Sequence, residues 1–209
     1  GMGLLRDVAA ASIFGTSNAM DAYVLALAIP TLIAGLSGDA ISTALVPAYI
    51  KAKHSRGAKA AVKVIANGIF LQTALMSTIC VMLAVMSGPL IELLAGDFDA
   101  SKTVLSRKLF LILLLFAVLL STAHVVTAAL QAEQKFVLAS ASPVLVPMIA
   151  IITLFTLHGS MGIFSLAIGL VAGAAIYLAV LLLGAVRQHG SGCLIPSIKD
   201  QDTGKFFSD

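Results

Sequence analysis

The sequence predicts an all-α, polytopic membrane protein, a bundle of about six transmembrane helices of which the first is truncated. Of the 209 residues, 59% are hydrophobic and 11% are charged, and the mean hydropathy is +1.04. Soluble domains have about 25% charged residues, so this composition indicates a membrane protein. The apolar runs lack the alternation typical of a membrane β-strand, and helices are the other structure that satisfies backbone hydrogen bonds in lipid.

Six apolar segments follow one another along the chain. The first ends at a turn signal, Gly15–Asn18, and the residues before it are too few to cross a hydrocarbon core about 30 Å thick. Each of the other five exceeds the roughly 20 residues that a spanning helix needs. We predict these five spanning segments at residues 22–50, 64–91, 109–132, 136–157 and 160–186.

Four charged residues lie in the first two segments. A charge inside a transmembrane segment costs roughly 2.5–3.5 kcal/mol on insertion scales, so such a residue usually faces a cavity or a partner. Arg6 precedes Gly15 by roughly 13 Å of helix, which places it near the middle of the membrane. Adjacent residues do not face each other on a helix, so Arg6 and Asp7 are predicted to have separate partners. We predict a polar cavity lined by Arg6, Asp7, Asp21 and Asp39.

The second segment should be one continuous helix. Asp21 and Asp39 are separated by five whole turns, or about 27 Å, so both carboxylates fall on one face, one near each membrane boundary. Pro30 lies halfway between them on the opposite face. Because proline lacks a backbone donor, we predict a kink at Pro30.

The fourth segment has a polar stripe with helical spacing. The stripe consists of Ser121, His124, Thr127 and Gln131. One interpretation is that these side chains form hydrogen bonds between helices. The alternative is that they line the same cavity as Arg6.

The last two segments contain prolines and glycines that affect how their helices bend and pack. Pro143 and Pro147 should bend the fifth segment and free backbone carbonyls. In the sixth segment, small residues on one face would let another helix approach closely in lipid. That face consists of Gly162, Gly169, Gly173 and Gly184.

The basic residues predict the orientation. If the turn at Gly15–Asn18 is outside, nine of the thirteen Lys and Arg residues lie inside, in loop 51–63, at Lys135, at Arg187 and in the C-terminal tail. Cytoplasmic loops are enriched in Lys and Arg. We therefore predict that loop 51–63 and the C-terminus are cytoplasmic.

Several functional classes are not supported by the sequence. Cys80 and Cys193 have no Cys/His metal spacing, and no nucleophile–base set or phosphate-binding loop is evident, so neither an enzyme nor a metal site is predicted. The net charge of +3 is dispersed, which argues against a nucleic acid partner. The start of the chain also lacks the pattern of a signal peptide.

The first two segments resemble a known family. The residues that show this are G-x-x-R-D from Gly3 to Asp7, I-F-G ending at Gly15, D-A-Y at Asp21–Tyr23, I-P ending at Pro30, and A-L-V-P at Ala44–Pro47. This spaced set resembles the MurJ/MviN lipid II flippases, within the superfamily of multidrug, oligosaccharidyl-lipid and polysaccharide exporters. The similarity extends from residue 3 to about residue 187.

The resemblance implies a bacterial inner-membrane transporter with two lobes, of which residues 1–190 would be the N-terminal transmembrane lobe and 191–209 an inter-lobe linker or truncated tail. Such proteins move an undecaprenyl-pyrophosphate-linked saccharide to the outer leaflet by alternating access, for peptidoglycan synthesis. Implied partners are the lipid-linked oligosaccharide, membrane lipids, and a second lobe or second copy. The coupling ion, Na+ or H+, stays open, and no cofactor is implied. The family's polar positions fall on Arg6, Asp7, Asp21 and Asp39.

This chain departs from the family's pattern in its second helix. Two adjacent basic residues of the family's second helix fall on Ala34 and Gly35, which are neutral. Three alternatives to lipid II flipping therefore stay open. They are a related polysaccharide-lipid exporter, an ion-coupled drug antiporter that uses Asp21 or Asp39, and a non-transporting scaffold whose charges pair between helices.

Overall fold

The computed structural model describes residues 2–15, 17–96, 98–133 and 141–189. All regular structure within these ranges is helical. A 3₁₀ turn at Ser142–Val144 precedes the sixth of the seven α-helices in these described ranges. The helices are α1 (Met2–Phe14), α2 (Asn18–Arg56), α3 (Ala58–Val85), α4 (Ser87–Ala95), α5 (Ala100–Ala132), α6 (Leu145–Met161) and α7 (Phe164–His189).

The predicted all-α bundle is confirmed. Within the described ranges, five helical stretches are long and apolar enough to cross a membrane: α2, α3, α5, α7, and the 3₁₀ turn continued by α6. Helix α1 has 13 residues, about 20 Å of helix, and is shorter than a hydrocarbon core. The predicted tail 191–209 lies outside the described residues.

Helix α5 is the centre of the bundle. It packs against α2, α3 and α7, while α6 packs against α7, and α1 contacts mainly α6. Its buried side chains include Leu109, Phe110 and Leu113, each 0% exposed. Every other element is therefore positioned directly or indirectly by α5.

The first turn of α5 is capped by Asp99, which lies just before the helix. The Asp99 carboxylate accepts hydrogen bonds from Ser101 Oγ (2.8 Å) and the backbone N of Lys102 (3.2 Å). These two bonds lower the pKa of Asp99. Because the folded-state pKa is lowered, the stabilisation from this cap is present at neutral pH and is lost as the pH falls through that value.

The predicted membrane segment 64–91 is divided between two helices. Helix α3 ends at Val85, Met86 interrupts it, and α4 begins at Ser87. The cause is Pro89, which has no N–H to donate to the carbonyl of Val85 and whose ring would clash with that carbonyl. In the first turn of α4, Pro89 needs no such bond.

The predicted loop 51–63 is a sharp corner between two helices. Helix α2 continues to Arg56 and α3 begins at Ala58, so Gly57 alone separates them. Gly57 has a φ of 84°, a conformation that costs glycine little. The basic residues of this region therefore lie on the helical turns that flank the corner.

Two glycines of α7 let this helix pack closely on α6, as the small-residue face predicts. A Cβ at Gly173 would lie 2.8 Å from the carbonyl oxygen of Val146, and one at Gly169 would lie 2.8 Å from Cα of Ala150. Gly162 is not part of this face, because it ends α6 with a φ of 54°. A positive φ favours glycine at a helix C-terminus.

Two prolines lie at the beginning of α6. Pro143 lies in the 3₁₀ turn and Pro147 in the first helical turn, where a missing N–H costs little. The predicted start of this segment, residue 136, lies outside the described residues.

Candidate functional site

Arg6 and Asp7 form an ion pair on α1. Arg6 donates from Nε (2.9 Å) and from Nη2 (2.6 Å) to Oδ1 of Asp7. The prediction that these neighbours have separate partners was therefore wrong. The rule for adjacent helical positions describes where the Cβ atoms point, whereas the long arginine side chain folds back along the helix surface.

The two side chains of this ion pair differ in solvent exposure. The side chain of Arg6 is 18% exposed and that of Asp7 is 55% exposed. Both arginine bonds use a single carboxylate oxygen. Among the described residues, Arg6 Nη1 and Asp7 Oδ2 therefore have no hydrogen bond, and the pair can still bind one anionic oxygen through Nη1.

Tyr23 is a polar neighbour that the sequence did not single out. It is 2% exposed, its hydroxyl has no hydrogen-bond partner in the part of the chain that the structure describes, and the charges of Arg6 and Asp7 act on it. In the sequence, Tyr23 was noted only as the last residue of the D-A-Y pattern, which gave no indication of a buried hydroxyl.

The two aspartates of α2 have different partners. Asp21 Oδ2 accepts from Lys102 Nζ at 3.0 Å, which joins the first turn of α2 to the first turn of α5. Asp39 is exposed and acts electrostatically on His124 of α5. Helix α2 continues through Pro30, which is buried. Neither aspartate is bonded to Arg6 in the described part of the chain.

The polar stripe of α5 is divided among different surroundings. Ser121 is fully buried and donates to the carbonyl of Val118 at 3.0 Å. His124 packs on Gly38, and Gln131 is exposed. Thr127 shares a 2.7 Å hydrogen bond with the hydroxyl of Tyr177 on α7. Thr127 therefore forms a hydrogen bond between helices, as the first interpretation of the polar stripe predicted.

Replacing Tyr177 with Phe is expected to destabilise the bundle only slightly, by about 0.6 kcal/mol, the average for interhelical hydrogen bonds in a membrane. Thr127 keeps its bond to the carbonyl of Ala123 (2.9 Å), so no buried hydroxyl is left unpaired. Reversible unfolding in detergent measures the change. The control T127V should cost more, because it leaves the buried hydroxyl of Tyr177 without its partner, and the double variant should cost less than the sum of the two. Fully additive effects would contradict a shared bond.

Metal binding finds no support in the described ranges, where no group of three or more His, Cys, Asp or Glu side chains could hold an ion. The ionisable groups instead form separate pairs: Arg6 with Asp7, Asp21 with Lys102, and Tyr49, which donates to Glu133. These arrangements suit charge recognition and helix pairing.

Comparison with known proteins determines the family. Residues 10–209 match the family model described as lipid II flippase MurJ. The chain belongs to the MurJ lipid II flippase family. The resemblance seen in the sequence is thereby confirmed, and MurJ proteins are flippases, a class of membrane transporter. The matched range begins after Arg6 and Asp7, so these two residues are outside it.

A solved structure shows the same fold. The chain matches "Lipid II flippase MurJ, inward closed conformation" with a TM-score of 0.75 and 23% sequence identity. The match covers 99% of this chain and 43% of that chain, so this chain spans less than half the length of the MurJ structure. A search among curated proteins gave no match.

Proposed function

We propose that this chain is the N-terminal lobe of a flippase that moves an undecaprenyl-pyrophosphate-linked saccharide to the outer leaflet of the bacterial inner membrane by alternating access. Residues 1–190 form the lobe, and 191–209 lead to a second lobe. Membership of the MurJ family supports the class of transporter. The observation on which the substrate proposal rests is the partly shielded guanidinium of Arg6 in a membrane helix.

Arg6 suits a pyrophosphate for a chemical reason. A planar guanidinium presents several N–H donors that match phosphate oxygens, and Nη1 stays available beside Asp7. A pyrophosphate competes with Asp7 for Nε and Nη2. Asp7 therefore balances the charge of Arg6 when no headgroup is bound, which lowers the cost of a cation in the membrane.

The specific saccharide is proposed to be that of lipid II, with a related polysaccharide-lipid as the second candidate. The second candidate is favoured by the neutral pair Ala34 and Gly35. Ala34 is 0% exposed and lies against His124, so a long basic side chain has no room there without a shift of α5. Headgroup recognition on α2 must therefore differ from that of family members with basic residues at these positions.

The proposed lobe has a defined orientation in the membrane and a second lobe as its partner. The basic turns around Gly57 lie on the cytoplasmic side by the positive-inside rule, with the Gly15 turn on the opposite side. The matched MurJ structure is more than twice as long as this chain. That length supports a second lobe, rather than a second copy, as the other wall of the cavity.

A reconstitution experiment tests the substrate. The full-length protein containing this lobe is placed in vesicles with lipid II, or with an undecaprenyl-pyrophosphate saccharide that lacks the peptide, and outward exposure of each is followed with time. Lipid II should be exposed faster than in protein-free vesicles, and a monophosphate-linked sugar should not.

Exposure of the peptide-free lipid alone would favour the polysaccharide-lipid exporter. Exposure of neither, with export of a cationic dye instead, would indicate the drug antiporter, and no transport would indicate the scaffold.

A further inference from the structure

A second polar contact joins α2 to α5, away from the Arg6–Asp7 pair. A Cβ at Gly38 would lie 2.9 Å from Cβ and Cγ of His124. Because Gly38 has no side chain, the imidazole ring packs directly on the backbone of α2. Asp39 follows immediately, and its charge acts on the ring.

The two ring nitrogens of His124 have different surroundings. Nδ1 is buried, and among the described residues it has no hydrogen-bond partner. It lies on the side of the ring that packs on Gly38. A neutral imidazole has one N–H donor and one nitrogen with a lone pair. The ring can therefore take up a proton at neutral or mildly acidic pH.

The ionisable groups on the other helices around α5 have partners of their own. From α7, the nearby ionisable group is Tyr177, whose hydroxyl is bonded to Thr127. From α3, the ionisable group within the apolar part is Cys80, which bonds to the carbonyl of Leu114, far along α5 from His124. Among the described residues, Asp39 is the charged group that acts on His124.

We propose that His124 and Asp39 form a proton-binding site between α5 and α2. The neutral imidazole accepts a proton through its lone pair, and the Asp39 carboxylate balances the imidazolium charge. Water reaches the site at Asp39, which is exposed, and His124 itself is only partly buried. Uptake changes the pair from one net negative charge to neutrality, and an isolated charge in the membrane is the costlier state.

Proton uptake would change the attraction between α2 and α5, the two helices that share the most extensive interface in the bundle. Protonated His124 is attracted by Asp39, whereas neutral His124 is not. Helices that move relative to each other during alternating access would therefore respond to pH. This last step rests on the proposed function, whereas proton binding itself does not.

The first experiment measures proton binding without any substrate. Full-length protein in lipid nanodiscs is titrated between pH 5 and pH 8, and the curve of each variant is subtracted from that of the wild type. H124Q should remove the uptake of one proton. D39N should keep that uptake but move it to lower pH, by about one unit or more, because the imidazolium loses its carboxylate.

The matched control is His158, an exposed histidine near the end of α6. H158Q should leave the proton uptake of His124 unchanged, and the shift of that uptake in D39N should be the same with or without H158Q. An H124Q curve identical to the wild type would overturn the proposal. So would a His124 proton whose position does not move in D39N.

The second experiment tests the link to transport. The initial rate of lipid-linked saccharide exposure is measured at several pH values for the wild type, H124Q and H158Q. The pH dependence should be flattened in H124Q and preserved in H158Q. An unchanged profile in H124Q, together with a positive titration, would overturn the link to transport. A wild type that transports nothing would contradict the proposed function and leave the titration result standing.

Discussion

Replacement of Arg6 by Ala in the full-length protein is expected to lower the initial rate of lipid-linked saccharide flipping at least about tenfold while the bundle stays folded. A hydrogen bond to a charged group contributes roughly 1.5–3 kcal/mol, which corresponds to roughly 10–150-fold. In the described part of the chain, Arg6 hydrogen-bonds to Asp7 on its own helix, so its loss breaks no hydrogen bond between helices. The free energy of unfolding should change by less than about 1 kcal/mol.

Two further variants separate charge from geometry at this position. R6K keeps the cation but loses the planar fork, so its flipping rate should lie between those of R6A and the wild type. The matched control is E92Q, because Glu92 is an exposed charged side chain of α4 outside the predicted cavity, and it should flip at a rate close to wild type. If R6A exposes the lipid-linked saccharide at the wild-type rate, Arg6 is not the cation that binds the headgroup.

The number and class of the helices could be predicted from the sequence because they depend on local length and hydropathy. Apolar runs of more than about 20 residues with few charges have few alternatives in a bilayer. The start of α5 was less predictable, because its first turns contain Lys102, Arg107 and Lys108. A polar turn capped by Asp99 continues the helix beyond the apolar run, and hydropathy alone does not indicate it.

The pairing of side chains could not be predicted, because it depends on conformations and neighbours that spacing does not determine. Arg6 was expected to have a distant partner, yet its flexible side chain binds Asp7. The stripe around His124 was treated as one face, yet its members contact different helices. What decides this is the position of Gly38, whose missing Cβ lets the ring approach α2, and the sequence of α5 does not contain that information.

Replacement of Gly173 by Val is expected to destabilise the bundle by about 1–3 kcal/mol, the usual cost of overpacking. The added Cβ would lie 2.8 Å from the carbonyl oxygen and 2.9 Å from Cα of Val146. Both are backbone atoms of α6, so no rotation of a side chain relieves the overlap and the helices must separate. Reversible unfolding in detergent measures the loss of stability.

The matched control is G35A, because a Cβ at Gly35 meets nothing within 4 Å. G35A should be neutral or slightly stabilising, and equal stability of G173V and G35A would contradict close packing of α6 on α7.

The G173V variant also shows how the packing of this lobe supports its proposed chemistry. Helix α1 contacts the bundle mainly through α6, so the position of Arg6 depends on the interface that Gly173 maintains with α7. We therefore expect G173V to lower both stability and flipping rate, whereas R6A lowers flipping alone. A G173V protein that is destabilised but flips normally would show that Arg6 does not need a fixed position. In that case the guanidinium would act as a mobile charge and not as a preorganised site.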